Sequence, residues 1–494
     1  MGGNRVTSSG NLRPPMARAI IPGSTMPISP PPDLSAPVYR ALAEALGDAR
    51  VHTDAAARDL YAADEGPRRC PPLAVVFPET HEHVVHLVRT ANAFRLPLVA
   101  RGAGSGNVGG ALPSAGSVVV SFECMRRVIE INPRERLAVV EPGVPTAEID
   151  ARARDHGLFY APDPGSAPYS HIGGNLATGA AGPRALKYGG TRDHVLGLRA
   201  VTGDGRTLVT GCRTTKGVVG YDLTRLLVGS EGTLALITEA TLKLLPAPPA
   251  VGTLRACYAS AGDACAAVAR VMSQPAIPSA LEFLDPASIA AIQQAGAAQT
   301  LPAATRALLV VEADGNAEDV ARDLVRLGVA LDGAGLLELR EAADPDDVKA
   351  LWAARRSLSR AVKKIAPLKI NEDVVVPVPR LAELVGAIDA LAHRHRIPIV
   401  SFGHAGNGNL HVNIMVHPDD ADEMARAHAA LESLMRTVVA FGGTLSGEHG
   451  IGYEKREFVP LEISPDTLAT MRALKRVFDP NGILNPGKIF PDEA

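Results

Sequence analysis

Two periodicities share this chain. "PVYRALAEALG" carries apolar residues at helical spacing and stops on glycine. From about 70 to 245 the text turns to short β-rich runs broken by Gly and Pro. "LAVVF", a helix "THEHVVHLVRTANAFR" and "LPLVA" form a strand–helix–strand unit. "GSVVVSF", "RVIEI" and "LAVVEPG" read as strands, and "VPTAEIDARARDHG" as a helix. Past 250, Ala-rich helical stretches such as "AAIQQAGAAQT" alternate with strands such as "RALLVVEADG". "PDDADEMARAHAALESLMRTVVAFGG" and "SPDTLATMRALKRVF" are helices with Ser or Asp at the start and a Gly or Pro stop. The expected layout is α+β. A lead-in covers 1–36, one domain 37–248, a second with an antiparallel sheet 249–465, and 466–494 returns to the first.

A chain of 494 residues exceeds one ordinary core, in keeping with several domains. With 46% hydrophobic and 21% charged residues it has a globular composition, and a net charge of -3 argues against a basic nucleic-acid face. Aromatics at 4% are too few for base-stacking platforms. No apolar run approaches the ~20 residues of a membrane span. Five scattered cysteines without C-x-x-C spacing fit a reducing compartment and no iron–sulfur cluster. The expected location is cytoplasmic, with room for peripheral membrane association.

Candidate chemistry begins in "LVARGAGSGNVGGALP", where Gly104, Gly106 and Gly109 spell G-x-G-x-x-G. A Rossmann fingerprint needs a helix directly after it, and Pro113 and Gly116 disfavour one. A P-loop is excluded because no lysine follows the last glycine. The remaining readings are a plain surface loop or an anion nest of backbone N–H groups, led by Arg101 and aided by Ser105 and Asn107. Two further glycine-rich segments, "APDPGSAPYSHIGGNLATGAAGPRALKYGGTRDHVLGL" and "GSEGTLALITEATLKL", favour the nest. Three such loops in one domain are costly to order unless a large ligand fills the space between them.

These three segments resemble the FAD-binding domain of the vanillyl-alcohol oxidase/p-cresol methylhydroxylase superfamily. "LWAARR", "GHAGNGNLHVNI", "SGEHGIGYEKR" and "DPNGILNPGK" narrow the resemblance to its branch of glycolate oxidase D-subunits, D-lactate dehydrogenases and D-2-hydroxyglutarate dehydrogenases. It implies a two-subdomain FAD-binding domain followed by an α+β cap. In the first loop, Arg101, Gly102, Ala103, Gly104, Ser105 and Gly106 would hold the pyrophosphate, with Asn107, Gly109 and Gly110 beside them. In the second, Pro162, Asp163, Ser166, Gly173, Gly174, Asn175, Gly179 and Tyr188 would flank the flavin. Glu231, Gly232 and Ile237 would run toward the adenine, and Asn485 would return to the flavin. The first loop holds neither His nor Cys, and His171 stands in the second, so non-covalent FAD is expected.

"FGHAGNGNLHVNIM" reads on its own as a hairpin about Asn407-Gly408. It places His404 and His411 on opposite arms, with Asn413 on the face of His411 and Leu410 and Val412 toward the core. "GTLSGEHGIG" adds Glu448 and His449. Two His and one Glu suit a divalent metal with an open position, Zn or Mn, the alternative being buried hydrogen-bonded histidines. The resemblance supports His404, His411 and Glu448 as ligands. His449 is the candidate general base and Asn413 a further catalytic candidate. Of Arg355 and Arg356, only one can face a given pocket; the family pattern favours Arg355 as the carboxylate partner. Lys369 and Asp373 would shape the substrate pocket. An Asn and two acids stand where the hydroxyglutarate enzyme has a lysine, which speaks against a dicarboxylate.

The expected reaction is FAD-dependent oxidation of a small D-2-hydroxy acid. The alternatives are a non-oxidative flavin reaction like that of alkyl-glycerone-phosphate synthases, or an electron-relay subunit. The acceptor stays open among a quinone, a cytochrome and a partner flavoprotein, and a homodimer is compatible with the chain.

Overall fold

The computed structural model describes residues 34–294, 296 and 301–492. Most of the expected lead-in and part of "AAIQQAGAAQT" lie outside these. Apolar strands Ala74–Val76, Val118–Ser121 and Leu98–Arg101 run parallel, with Val51–His52 antiparallel at one edge. All three residues of the first and all four of the second are buried, as strands of a covered parallel sheet must be. Thr80 caps the crossover helix His81–Ala93, accepting from His83 N, and Val84, Leu87, Val88 and Ala91 form its buried stripe. The strand–helix–strand unit read from sequence is there, but Val118–Ser121 lies between its two strands. The residues 483–485 join the free edge: Leu98 N donates to Ile483 O, and Asn485 N to Leu98 O.

A second, antiparallel sheet orders Val128–Asn132, Leu137–Val140, Ala235–Lys243, Val195–Thr202 and Thr207–Gly211. The segment 161–198, read from sequence as one long loop, contains the helix Ile172–Thr178 and a turn of helix Ala185–Tyr188. Its glycines hid this helix because they lower propensity; tertiary contacts supply what propensity lacks. Ile172 and Leu176 enter the core, Asn175 Nδ2 donates to Thr146 Oγ1 at 2.6 Å, and Gly179 ends the helix at φ 71°.

The remainder is built on a seven-stranded sheet in the order Leu336–Glu341, Ala250–Tyr258, Ala307–Gly315, Ala280–Leu284, Ile399–His404, Asn409–Val416, Leu368–Val375. Every neighbouring pair is antiparallel. Leu254, Leu309, Val311, Val412 and Ile414 pack one face against helices Ala261–Met272, Ala317–Leu331, Leu381–His395 and Ala421–Ala440. The opposite face is shared. Leu308, Val310, Phe402 and Met415 pack under helices Pro286–Gln294 and Pro345–Ala361, and the polar positions beside them face the first two sheets. Among the described residues no helix is long and apolar enough to cross a membrane, and the five cysteines are unpaired.

Candidate active site

A cavity of about 1710 Å³ runs from the three glycine-rich segments to the polar face of the seven-stranded sheet. That is larger than the ~300–1,000 Å³ that ordinarily suits one small ligand. Arg101, Gly102, Ala103, Gly104, Ser105 and Gly106 line it, with Asn107 and Gly110. Asp163, Ser166, Gly173, Gly174 and Asn175 come from the second segment, and Glu231, Gly232 and Ile237 from the third. These walls suit FAD. A Cβ on Gly174 would meet nothing within 4 Å and would point into open cavity, whereas one on Gly173 would strike Pro142. His171 lines the same wall, its Nδ1 buried without a partner.

Several expected cofactor residues stand behind the wall instead. Gly109 turns at φ 74° beneath Tyr453, and Gly179 is a helix cap. Pro162 is buried next to Asp163 without lining the cavity. Tyr188 is turned away because its hydroxyl donates to the Asp314 carboxylate at 2.9 Å. Asn485, at φ 41°, donates from Nδ2 to Gly110 O at 2.9 Å and Glu231 O at 2.7 Å, and so ties two cofactor segments together from outside.

The histidine cluster follows from strand pairing. Gly408 turns at φ 72°, where a Cβ would lie 1.9 Å from Val376 O. Ile399 pairs with Ile414 and Phe402 with His411 across the hairpin, and Asp373 pairs with His411 on the far side. Glu282 pairs with His404. The two imidazoles meet edge-on with centroids 5.2 Å apart. Glu448 Oε1 lies 3.4 Å from His404 Nε2 and 3.6 Å from His411 Nε2. The three expected ligand atoms thus gather within 4.8 Å of one another. His449 stacks on His411 at 5.2 Å and 14°. Asn413 shares the face of His411 but is fully buried outside the cavity, its Nδ2 donating to Val400 O and His411 O. It braces the strand and does not reach the reacting space.

Asp373 sets the Glu448 loop. Its Oδ2 accepts the N–H groups of Gly447, Glu448 and His449 at 2.9, 2.7 and 3.0 Å, and its Oδ1 accepts from Asn409 Nδ2. Burial opposes the charge on Asp373, yet His449, Lys455, His411 and these N–H groups hold its carboxyl well below the usual range. Asp373, His411 and His449 also approach one another. Asp373 already accepts four N–H groups, whereas Glu448 Oε2 has no partner, so His404, His411 and Glu448 are the more open donor set. Burial pushes His411 down to about 3 and so keeps it neutral, as a ligand must be. Burial disfavours a charged His404, but Glu282 on one side and Glu448 on the other raise it to about 10. A divalent cation between these groups would replace that imidazolium charge. Glu448 Oε2, buried without a partner, is a further vacant acceptor.

Arg355 lines the cavity from helix Pro345–Ala361, which Asp344 caps through Asp346 N and Asp347 N. Its Nε donates to Glu282 Oε2 at 2.6 Å and its guanidinium lies 4.7 Å from the Phe402 ring centre. The Arg356 side chain falls outside the described residues. Lys369 and Asn371 line the cavity on the edge strand; burial and neighbouring Lys363 bring Lys369 down to about 8. The main residue missed by sequence reasoning is Glu282. Its signal was present: a single acid inside the otherwise apolar run "ALEFL", in a strand buried at every position. Such a charge survives only with partners.

Known proteins resemble this chain over most of its length. Residues 72–211 match a family model described as FAD binding domain, and 247–489 one described as FAD linked oxidases, C-terminal domain. Glycolate oxidase subunit GlcD of Bacillus subtilis is 38% identical over 440 residues, covering 89% of this chain and 93% of the relative. D-2-hydroxyglutarate dehydrogenase of Stutzerimonas stutzeri is 36% identical over 453 residues (89% and 96% covered). D-lactate dehydrogenase of Anaerostipes hadrus is 34% identical over 426 residues (85% and 89%). The solved structure of p-cresol methylhydroxylase with substrate bound superposes with a TM-score of 0.78 at 17% identity, covering 92% of this chain and 96% of that one. Fold, FAD cradle and relatives converge: the chain is an FAD-binding oxidoreductase belonging to the family of FAD-linked oxidases.

Proposed function

We propose that the chain oxidises a D-2-hydroxy acid of the lactate or glycolate type to the 2-oxo acid, with a divalent cation such as zinc or manganese held by His404, His411 and Glu448. One observation carries this reading: those three side chains converge in the same cavity as Arg355 and the glycine-lined cradle. FAD held by the glycine-lined segments would supply a hydride acceptor for C2 of the substrate, and a cation held by His404, His411 and Glu448 would supply a Lewis acid for its hydroxyl. Arg355 takes the carboxylate in its guanidinium fork and so orients C2. His449 receives the hydroxyl proton at Nε2, the nitrogen 4.0 Å from Glu448 Oε1. Asn371, neutral and on the face of Asp373, stands beside Lys369 on the substrate side of the cavity.

The FAD is held non-covalently, and acid precipitation should release it into the supernatant. The Bacillus subtilis relative is named as a subunit, which supports transfer of the electrons onward to an associated protein. Purified protein should be yellow, and anaerobic D-lactate or glycolate should bleach the visible flavin band. A reconstituted protein that stays colourless, or whose flavin no 2-hydroxy acid reduces, overturns the reading.

A further inference from the structure

We infer that Glu282 is a positioning residue that ties the metal-side imidazole and the carboxylate clamp into one frame. The inference rests on the roles proposed above for His404 and Arg355. Glu282 is 0% exposed in the middle of strand Ala280–Leu284, directly opposite His404 in the sheet register. Its Oε1 lies 2.5 Å from His404 Nδ1, and its Oε2 accepts from Arg355 Nε at 2.6 Å. Each oxygen serves a different functional group. The carboxyl is rigid and planar, so its two oxygens fix the distance between the two groups.

The chemistry asks for such a frame. In a 2-hydroxy acid the hydroxyl oxygen and the carboxylate carbon sit on the same carbon, so an ion that polarises the first and a cation that holds the second must keep a constant separation. Glu282 supplies this from behind, since it does not line the cavity while both of its partners do. On the histidine it fixes a proton at Nδ1 and aims Nε2 toward Glu448 and the ion, the arrangement in which an outer carboxylate orients a ligating imidazole. On the arginine it holds the Nε edge, while the Phe402 ring lies 4.7 Å from the guanidinium carbon. The backbone contributes as well: His404 and Glu282 lie on paired strands, so the imidazole–carboxylate contact is built into the sheet, and Arg355 is brought to it by the helix above.

The test uses the FAD-loaded full chain and two variants. Glu282→Gln keeps the volume but removes the charge that both partners face and replaces one acceptor oxygen with an NH₂ donor, so the hold on each partner weakens. Zinc affinity, measured by competition with a chromophoric chelator, should fall about 10–100-fold. In metal-stripped protein, the affinity for oxamate, read from the perturbed flavin spectrum, should fall about tenfold or more. Flavin content should remain that of the wild type. Arg355→Ala provides a second arm that does not require the first variant to fold. Although Arg355 touches no ligand atom of the ion, releasing Oε2 should weaken zinc binding severalfold. The inference is overturned if Glu282→Gln shifts one affinity and leaves the other unchanged, or if Arg355→Ala leaves zinc affinity at the wild-type value. Failure of the wild-type protein itself to bind zinc or manganese would instead strike the underlying functional reading.

Discussion

His404 and Arg355 are each held by charge opposite to their own, and this makes the site sensitive to single atoms. Arg355→Lys keeps the charge but loses the planar fork, and an ammonium cannot donate to Glu282 and a carboxylate in the same geometry. We expect KM to rise more than kcat falls, with kcat/KM down about 30–150-fold, the ~2–3 kcal/mol of a charge-assisted hydrogen bond; steady-state kinetics with a dye acceptor measures it. Asp373→Asn should act differently. One carboxylate oxygen there gathers three backbone N–H groups, and an amide that presents its NH₂ to them would push the loop bearing Glu448 and His449 away. Bound metal, measured by elemental analysis, should drop while flavin content stays. Equal loss of both would mean that Asp373 supports the whole fold and not this loop. The convergence of His404, His411 and Glu448 was legible in sequence because glycines frame them in short motifs. Glu282 stood out only as a lone acid in an apolar strand, and its partners were hidden because His404 lies 122 residues away in sequence.

At the scale of elements, the hairpin was readable because Asn407-Gly408 is a local turn signal and the flanking residues alternate. The helix Ile172–Thr178 was hidden because its reasons are tertiary: a tight approach to Pro142 at Gly173, and a cavity at Gly174. These adjacent glycines allow a clean test. Gly173→Ala should disturb the protein itself, since a methyl there would come 2.6 Å from Pro142 Cβ, and thermal stability should fall by about 1–3 kcal/mol. Gly174→Ala has no protein neighbour to meet and favours the helix, so the apoprotein should melt at or slightly above the wild-type temperature. The methyl would instead occupy space next to the cofactor, and the ratio of flavin to protein absorbance after purification should drop. If Gly174→Ala retained full flavin, the helix would not form part of the cradle.

In the whole molecule, the parts carrying FAD and the histidine cluster are interlocked by a few buried groups that no local pattern announces. Glu231, at a left-handed φ of 52°, accepts from Ile451 N at 2.7 Å and Gly452 N at 2.8 Å, just beyond the Glu448–His449 loop. Asn485 holds Glu231 O and Gly110 O together, and Lys488 Nζ donates to Leu112 O. A non-glycine residue kept in that conformation costs about 1–3 kcal/mol and persists only where its surroundings demand it. Glu231, which lines the cavity, is therefore expected to couple occupancy of the cradle to the order of the loop bearing Glu448 and His449. Bound FAD at about a hundredfold excess over its dissociation constant should stabilise the fold by about 2.7 kcal/mol. Through Glu231 that gain should reach the seven-stranded domain, so the FAD-loaded protein should melt in one calorimetric transition. Glu231→Ala leaves two buried N–H groups without acceptors and cuts the link. It should split the melt in two, with only the N-terminal transition rising as FAD is added. A variant that still melts as one unit, with both halves responding to FAD, would place the coupling elsewhere, in the general packing between the domains.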